Sequence, residues 1–113
     1  MAIITQGDIS QNIAYNRQNT GNTDVFYRNV LRPVRVTVKL SFLSSASATV
    51  YIYGGNSSTE SAITEELALI TLSNTDPEAK FTIYNPYSYI MGNISSLSGS
   101  GAAVTISVNA LEE

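Results

Sequence analysis

The chain has 113 residues, a formal net charge of −3, and neither cysteine nor histidine. This length fits one domain around one hydrophobic core. Without cysteine the chain forms no disulfide bridge and no thiolate zinc site. Without histidine it lacks the side chain most used for acid–base chemistry near neutral pH. We therefore expect a single non-enzymatic domain without a cofactor or a metal ion.

The sequence also indicates where the protein is made and what it contacts. No apolar run approaches the roughly 20 residues of a membrane-spanning helix, and the opening MAIITQGD lacks the basic flank and apolar block of a signal peptide. The six basic residues are scattered, which argues against binding of nucleic acid. We expect a protein that is made in a cytoplasm and contacts other proteins, with no membrane and no nucleic acid among its partners.

The first 23 residues predict an extended N-terminal arm. A short apolar run precedes the amide-rich stretch QGDISQNIAYNRQNTGNT, which has no regular period. Anchors for packing on the domain or on a neighbouring chain recur along this segment. They are Ile3, Ile4, Ile9, Ile13 and Tyr15. A disordered tail is the alternative, and the globular domain is expected to span residues 24–113.

The strongest pattern in the chain lies between residues 33 and 55. From Val34 to Phe42, apolar and polar residues alternate, as on a half-buried strand. A second alternation, ATVYIY, begins at Ala48, and a Gly-Gly pair ends it. These two strands form either a β-hairpin or the corner of a sandwich.

Further strand patterns lie before and after this region. They are DVFYRNVL (24–31), ELALITL (66–72), KFTIY (80–84), YSYIMGNI (87–94) and a last strand over 102–108. Turns rich in Gly, Ser, Asn and Pro separate them, and the polar loop 56–62 is expected to project from one end. Seven or eight short strands predict an all-β fold, an antiparallel β-sandwich resembling a jelly roll, with a small closed barrel as the alternative.

The strand over 87–94 carries apolar groups on both faces. Tyr89 and Met91 alternate with Ile90, Gly92 and Ile94, whereas a half-exposed sandwich strand needs only one apolar face. We expect a neighbouring subunit or the arm to cover the second face, and we predict a homo-oligomer, a trimer.

Tyrosine is the enriched aromatic residue, with seven copies against no tryptophan. Tyr51 and Tyr53 point the same way on one strand, and Tyr87 and Tyr89 do so on another. Tyrosine is favoured at protein contacts for its apolar ring and polar tip, so these residues predict a partner-binding surface. Stacking on pyranose rings is the alternative. The nine acidic residues show no pair that indicates a glycosidase.

Four basic residues lie on and before the first long strand. Arg28, Arg32, Arg35 and Lys39 are predicted to pair with an acidic patch on a neighbouring copy or on another protein. A solvated strand face is the alternative.

Residues 84–110, which include the stretch YSYIMGNISSLSGSGAAVTISVNA, resemble the closing strands of small β-sandwich structural proteins of tailed-phage virions. In both, a tyrosine-containing strand runs into a Ser/Gly turn and then into a strand of small residues alternating with Val and Thr. The resemblance implies a decoration or auxiliary capsid protein that binds the major capsid protein on the outside of a head, often as a trimer. A carbohydrate-binding or host-adhesion module is the alternative function.

Overall fold

The structure is a computed structural model that describes residues 2–7, 10–28 and 32–110. In this part of the chain nine β-strands and one short 3₁₀ turn account for the regular structure. In chain order they are β1 (Ile3–Thr5), β2 (Gln11–Arg17), β3 (Gly21–Tyr27), β4 (Val34–Ser41), β5 (Ala46–Gly55), the 3₁₀ turn (Glu60–Ala62), β6 (Glu65–Ser73), β7 (Glu78–Ile83), β8 (Tyr89–Gly99) and β9 (Ala103–Ala110).

The strands form two sheets with the topology of a jelly roll. One sheet has the order β1-β3-β8-β5-β6 and the other β2-β9-β4-β7. Strand β2 pairs with β9, β3 with β8, β4 with β7 and β5 with β6, all antiparallel, so the chain resembles one long hairpin rolled up into two sheets. The all-β sandwich is confirmed, with β1 added as a parallel strand beside β3.

The core lies between the sheets and follows the predicted alternation. On β4, Val34, Val36 and Val38 are fully buried, while Arg35 and Lys39 on the other face of the strand are exposed. The facing positions on the other sheet come from β5, whose alternate residues are buried in the same cluster. Because β4 and β5 belong to different sheets, their connection is a sandwich corner and not a hairpin.

The segment predicted as an arm contributes β1, β2 and the first three residues of β3 to the sandwich. Strand β2 pairs with β9 at the edge of the four-stranded sheet, and Ile13, predicted to contact a partner, is 2% exposed within the core. Register shifts on both sides of Ala14 place it and Ile13 in the core together, and Asn16 has a positive φ of 45°. Because of these bulges, apolar and polar residues do not alternate regularly along β2, and this alternation is the pattern that identifies a strand in a sequence. We therefore correct the expectation of a separate arm.

Candidate binding face

The residues predicted to bind a partner do not form one surface. Tyr51 and Tyr53 lie on the outer face of the five-stranded sheet. Arg35 and Lys39 lie on the outer face of the four-stranded sheet, on the opposite side of the sandwich. A single partner surface that uses both groups is therefore excluded by their placement.

The other predicted residues are spread over edges and corners. Tyr15 on β2 is 71% exposed, Ile3 on β1 is also exposed, and Ile4 packs against the main core. Arg32 is half-buried, and the half-buried Tyr87 lies against Gly54. Ile9 lies outside the described residues.

Arg28, predicted as a surface cation, is buried and joins two connecting segments. It is 3% exposed. Its Nη1 donates to the carbonyl oxygens of Asn85 at 2.6 Å and Tyr87 at 2.9 Å, and its Nη2 donates to the carbonyl oxygen of Arg32. Burial lowers the pKa of this guanidinium. Arg28 is therefore not the exposed cation that was predicted, because its Nη1 and Nη2 groups donate to backbone carbonyls outside the strands. Its buried Nε has no hydrogen-bond partner among the described residues.

Lys39 has an acidic neighbour within the chain. Its Nζ lies 3.3 Å from one carboxylate oxygen of Glu78, and the Nζ of Lys80 lies 3.4 Å from the other. Hydrogen bonding from Lys39 and then from Lys80 holds the pKa of Glu78 below its usual value, although desolvation acts in the opposite direction. Exposed pairs of this kind contribute little to stability. They do, however, compensate the charge of Lys39.

One cross-strand row on the five-stranded sheet combines aromatic, apolar and amide groups. Tyr51 on β5 lies beside Leu69 on β6 and Asn93 on β8, and Asn93 lies beside Asn22 on β3. Directly opposed residues on one face have Cβ atoms about 5 Å apart and contact one another. The row therefore presents a continuous amphipathic strip across four strands.

The next row forms a second apolar cluster on the outside of this sheet. Val25, Met91 and Ile63 are buried together, with Tyr53 and Tyr89 packed against them. Ile63 follows the 3₁₀ turn and is 1% exposed, because residues 56–64 fold back over the sheet. Around Met91 the second face of β8 is thus covered by the chain's own loop, so no subunit is needed to bury that side chain.

Gly55 allows this loop to lie close to the sheet. A Cβ at position 55 would lie 2.8 Å from the carbonyl oxygen of Ala62 and 2.9 Å from the Cα of Ile63. Both are backbone atoms that cannot move aside as a side chain can. Gly55, the second glycine of the pair at the end of β5, thus allows close packing of the loop against the sheet.

A bulge in β3 keeps both amide and apolar residues on the outer face. The pairing of β3 with β8 shifts between Asn22 and Val25. Thr23 compensates the interrupted ladder, since its Oγ1 accepts a 2.9 Å hydrogen bond from the backbone N–H of Gly92. The extra residue in β3 allows Asn22 to lie beside Asn93 while Val25 lies beside Met91.

A cleft of about 400 Å³ lies between the folded-back loop and the sheet. It is lined by Asn22, Tyr53, Glu60, Ser61, Ile63, Thr64, Met91 and Asn93. The Asn93 amide donates to Oδ1 of Asn22 at 2.7 Å, and the Asn22 amide donates to a carboxylate oxygen of Glu60. This chain of hydrogen bonds fixes the side chains of Asn93, Asn22 and Glu60 and connects the loop to the sheet.

The tyrosines of the outer face are paired with each other. The rings of Tyr51 and Tyr53 are stacked at 8°, with centroids 5.8 Å apart, and those of Tyr27 and Tyr89 lie 5.0 Å apart at 32°. Parallel rings at 5.8 Å overlap in an offset stack, so each covers part of one face of the other. Tyr51 and Tyr53 therefore do not form a flat two-ring platform.

Within the described ranges, no group of three or more acidic, His or Cys residues is placed to hold a metal ion. In the same part of the chain no helix has the length and apolar character needed to cross a membrane. Comparison with protein-family models, with curated proteins and with solved structures finds no match for this chain.

Sequence reasoning missed most of the cleft. Ile63 is one apolar residue in a polar loop, and Glu60 is one of several acidic residues near it. Asn22 is separated from Asn93 by 71 positions in the chain. The available signals were the Gly-Gly pair before the loop and the apolar groups on both faces of β8, which together indicated that something covers this sheet.

Proposed function

We propose that the protein is a non-enzymatic virion structural protein, a decoration or auxiliary protein that binds and stabilises the outer surface of a phage head. The resemblance of residues 84–110 to small virion sandwich proteins supports this proposal. Eight-stranded jelly rolls also occur in viral capsid and lectin domains, which adds support by analogy of fold only.

The observation that carries the proposal is the uncovered edge of β6. Strand β6 ends the five-stranded sheet, and no other strand in the described part of the chain pairs with its outer edge over Leu67–Leu72. The stretch LALITLS (67–73) contains no charge, proline or glycine. Natural sheets protect such edges because they pair readily with another chain. The β6 edge is therefore suited to pairing with a strand of the major capsid protein.

Side chains beside the β6 edge extend the contact surface. Leu69 is 54% exposed and lies next to the half-buried Tyr51. Apolar and tyrosine side chains are enriched at the centres of protein interfaces, whereas Lys and Glu are depleted. We define Tyr51, Leu69 and the edge of β6 as the docking strip. A trimer assembled on the head remains a prediction.

Binding to empty heads of the virus that encodes this chain tests the proposal. We expect wild-type protein to co-sediment with purified heads, and Leu69→Lys to weaken binding at least tenfold, because it places a charge on the docking strip. Ser41→Lys is the matched control, since it adds the same charge to an exposed position on the opposite face. Equal binding by the two variants, or no binding by wild type, would contradict the proposal.

A further inference from the structure

We propose that the cleft beneath the 56–64 loop is a carbohydrate-binding site that accepts one neutral pyranose unit of a surface glycan. This activity goes beyond attachment to a capsid. The cleft lies mainly over β3 and β8, whereas the docking strip lies along β5 and β6. The two surfaces adjoin where Tyr51 of the docking strip lies beside Tyr53 and Asn93 of the cleft.

The polar groups of the cleft match the hydroxyl groups of a sugar. The lining carries two amides, one carboxylate and the hydroxyl groups of Ser61 and Thr64. Both ends of the Asn22 amide are used within the protein, by Asn93 and by Glu60. Those bonds orient the remaining donor and acceptor groups of Asn93 and Glu60, which are then available for adjacent hydroxyls. Side chains held in advance lose less freedom on binding.

The apolar part of the lining suits the C–H face of a pyranose ring. Tyr53, Met91 and Ile63 belong to the buried outer cluster and also line the cleft. Tyr53 packs on Tyr51, which fixes its ring. One aromatic ring with an apolar floor, beside a small set of oriented polar groups, is the usual composition of a small-ligand site, and the volume lies within the range of roughly 300–1,000 Å³ for such sites.

Charge disfavours other ligand classes. None of the eight described residues that line the cleft is Lys or Arg, and Glu60 contributes a carboxylate. A phosphate or nucleotide would meet this negative charge without a compensating cation. A divalent ion prefers several oxygen ligands, often more than one carboxylate, whereas one carboxylate lines the cleft. A neutral ligand rich in hydroxyl groups is the class that remains.

A glycan array followed by NMR tests the site. We expect binding to neutral hexose or N-acetylhexosamine oligosaccharides, and the strongest of these should shift the methyl resonance of Met91, one of two methionines in the chain. Glu60→Ala should reduce affinity at least tenfold. Glu65→Ala is the matched control, because it removes an exposed carboxylate outside the cleft lining.

Further variants separate this proposal from loss of folding and from capsid attachment. Thr64→Val keeps the loop's shape and should weaken glycan binding by several-fold with an unchanged melting temperature. Leu69→Lys should bind the glycan with wild-type affinity, whether or not it still binds heads. The proposal is overturned if no array glycan binds, or if binding persists in Glu60→Ala and leaves the Met91 methyl unshifted.

Discussion

At the scale of single residues, the charged side chain of Arg28 has a structural role. Its guanidinium donates to three backbone carbonyls, two of them more than 50 positions away in the chain. The residues next to Arg28 in the sequence do not indicate that it contacts those distant carbonyls. Arg28 was therefore predicted to lie on the surface with Arg32, Arg35 and Lys39. By contrast, the alternation over Val34–Ser41 was predictable, because each side chain's burial depends only on which face of the strand it occupies.

Replacing Arg28 should destabilise the domain. Arg28→Met keeps a long buried side chain but leaves three carbonyls without their donor, and we expect a loss of about 2–4 kcal/mol in the free energy of unfolding. Urea denaturation measures this loss. Arg35→Met removes the same charge from an exposed strand position and should change stability by less than about 0.5 kcal/mol. Equal effects of the two substitutions would contradict the structural role of Arg28.

Glu78 should make the stability of the protein depend on acidity. The folded-state pKa of Glu78 lies below the ordinary value of 4.5 because Lys39 and Lys80 donate to its carboxylate. As the solution is acidified, the unfolded chain therefore binds a proton at Glu78 at a higher pH than the folded protein does. The stability that Glu78 contributes is present above its ordinary pKa and is lost as the pH falls through its lower folded-state pKa. The effect should be small and weaken with salt, because the pair is exposed.

Glu78→Gln isolates this contribution. Urea denaturation over a pH series should show wild type losing more stability than the variant below pH 4.5. An NMR titration of the Glu78 carboxyl supplies the pKa directly. A pH dependence identical in the two proteins, or a Glu78 pKa at or above its ordinary value, would contradict the assignment.

At the scale of elements, the 56–64 loop forms both the outer cluster and the cleft. Its polar sequence predicted a projecting loop, and residues 56–59 are indeed exposed. The loop nevertheless folds back, because Ile63 finds an apolar site beside Met91 and Val25 that only the assembled sheet provides. A contact between residues distant in the chain leaves no local period to detect.

Gly55→Ala should detach this loop. The added methyl group would collide with the backbone of Ala62 and Ile63, and we expect a loss of about 1–3 kcal/mol in stability. Faster hydrogen exchange should appear at the amides of residues 60–64. Ala46→Gly, at the other end of β5, supplies a control in which protection of the loop should not change. Normal protection of the loop in Gly55→Ala would contradict its packing role.

Strand β2 should be required for folding. Deleting residues 2–17 removes β1 and β2 and uncovers the edge of β9, so we expect no cooperative unfolding transition by circular dichroism. The milder change Ile13→Ala should cost about 2–4 kcal/mol, because it empties a buried site. Tyr15→Ala, at an exposed position, should leave stability nearly unchanged. A truncated chain with the wild-type melting temperature would restore the interpretation of this segment as a separate arm.

At the scale of the whole molecule, the jelly roll places two different surfaces on one sheet. The rolled-up pairing brings β3 beside β8 and leaves β6 at an edge, so the cleft and the docking strip lie side by side. The class of fold was predictable from many short alternating strands and their turns. The strand order and the cleft were not, because they depend on pairings between residues far apart in the chain, such as Tyr51 with Asn93 and Asn22 with Asn93.

Cryo-electron microscopy of empty heads incubated with the purified protein tests the proposed function most directly. We predict added density the size of one jelly roll at regular positions on the outer surface of the shell, with the β6 edge facing the major capsid protein. Heads without added density, or density that places the four-stranded sheet against the shell and leaves the β6 edge exposed to solvent, would contradict it.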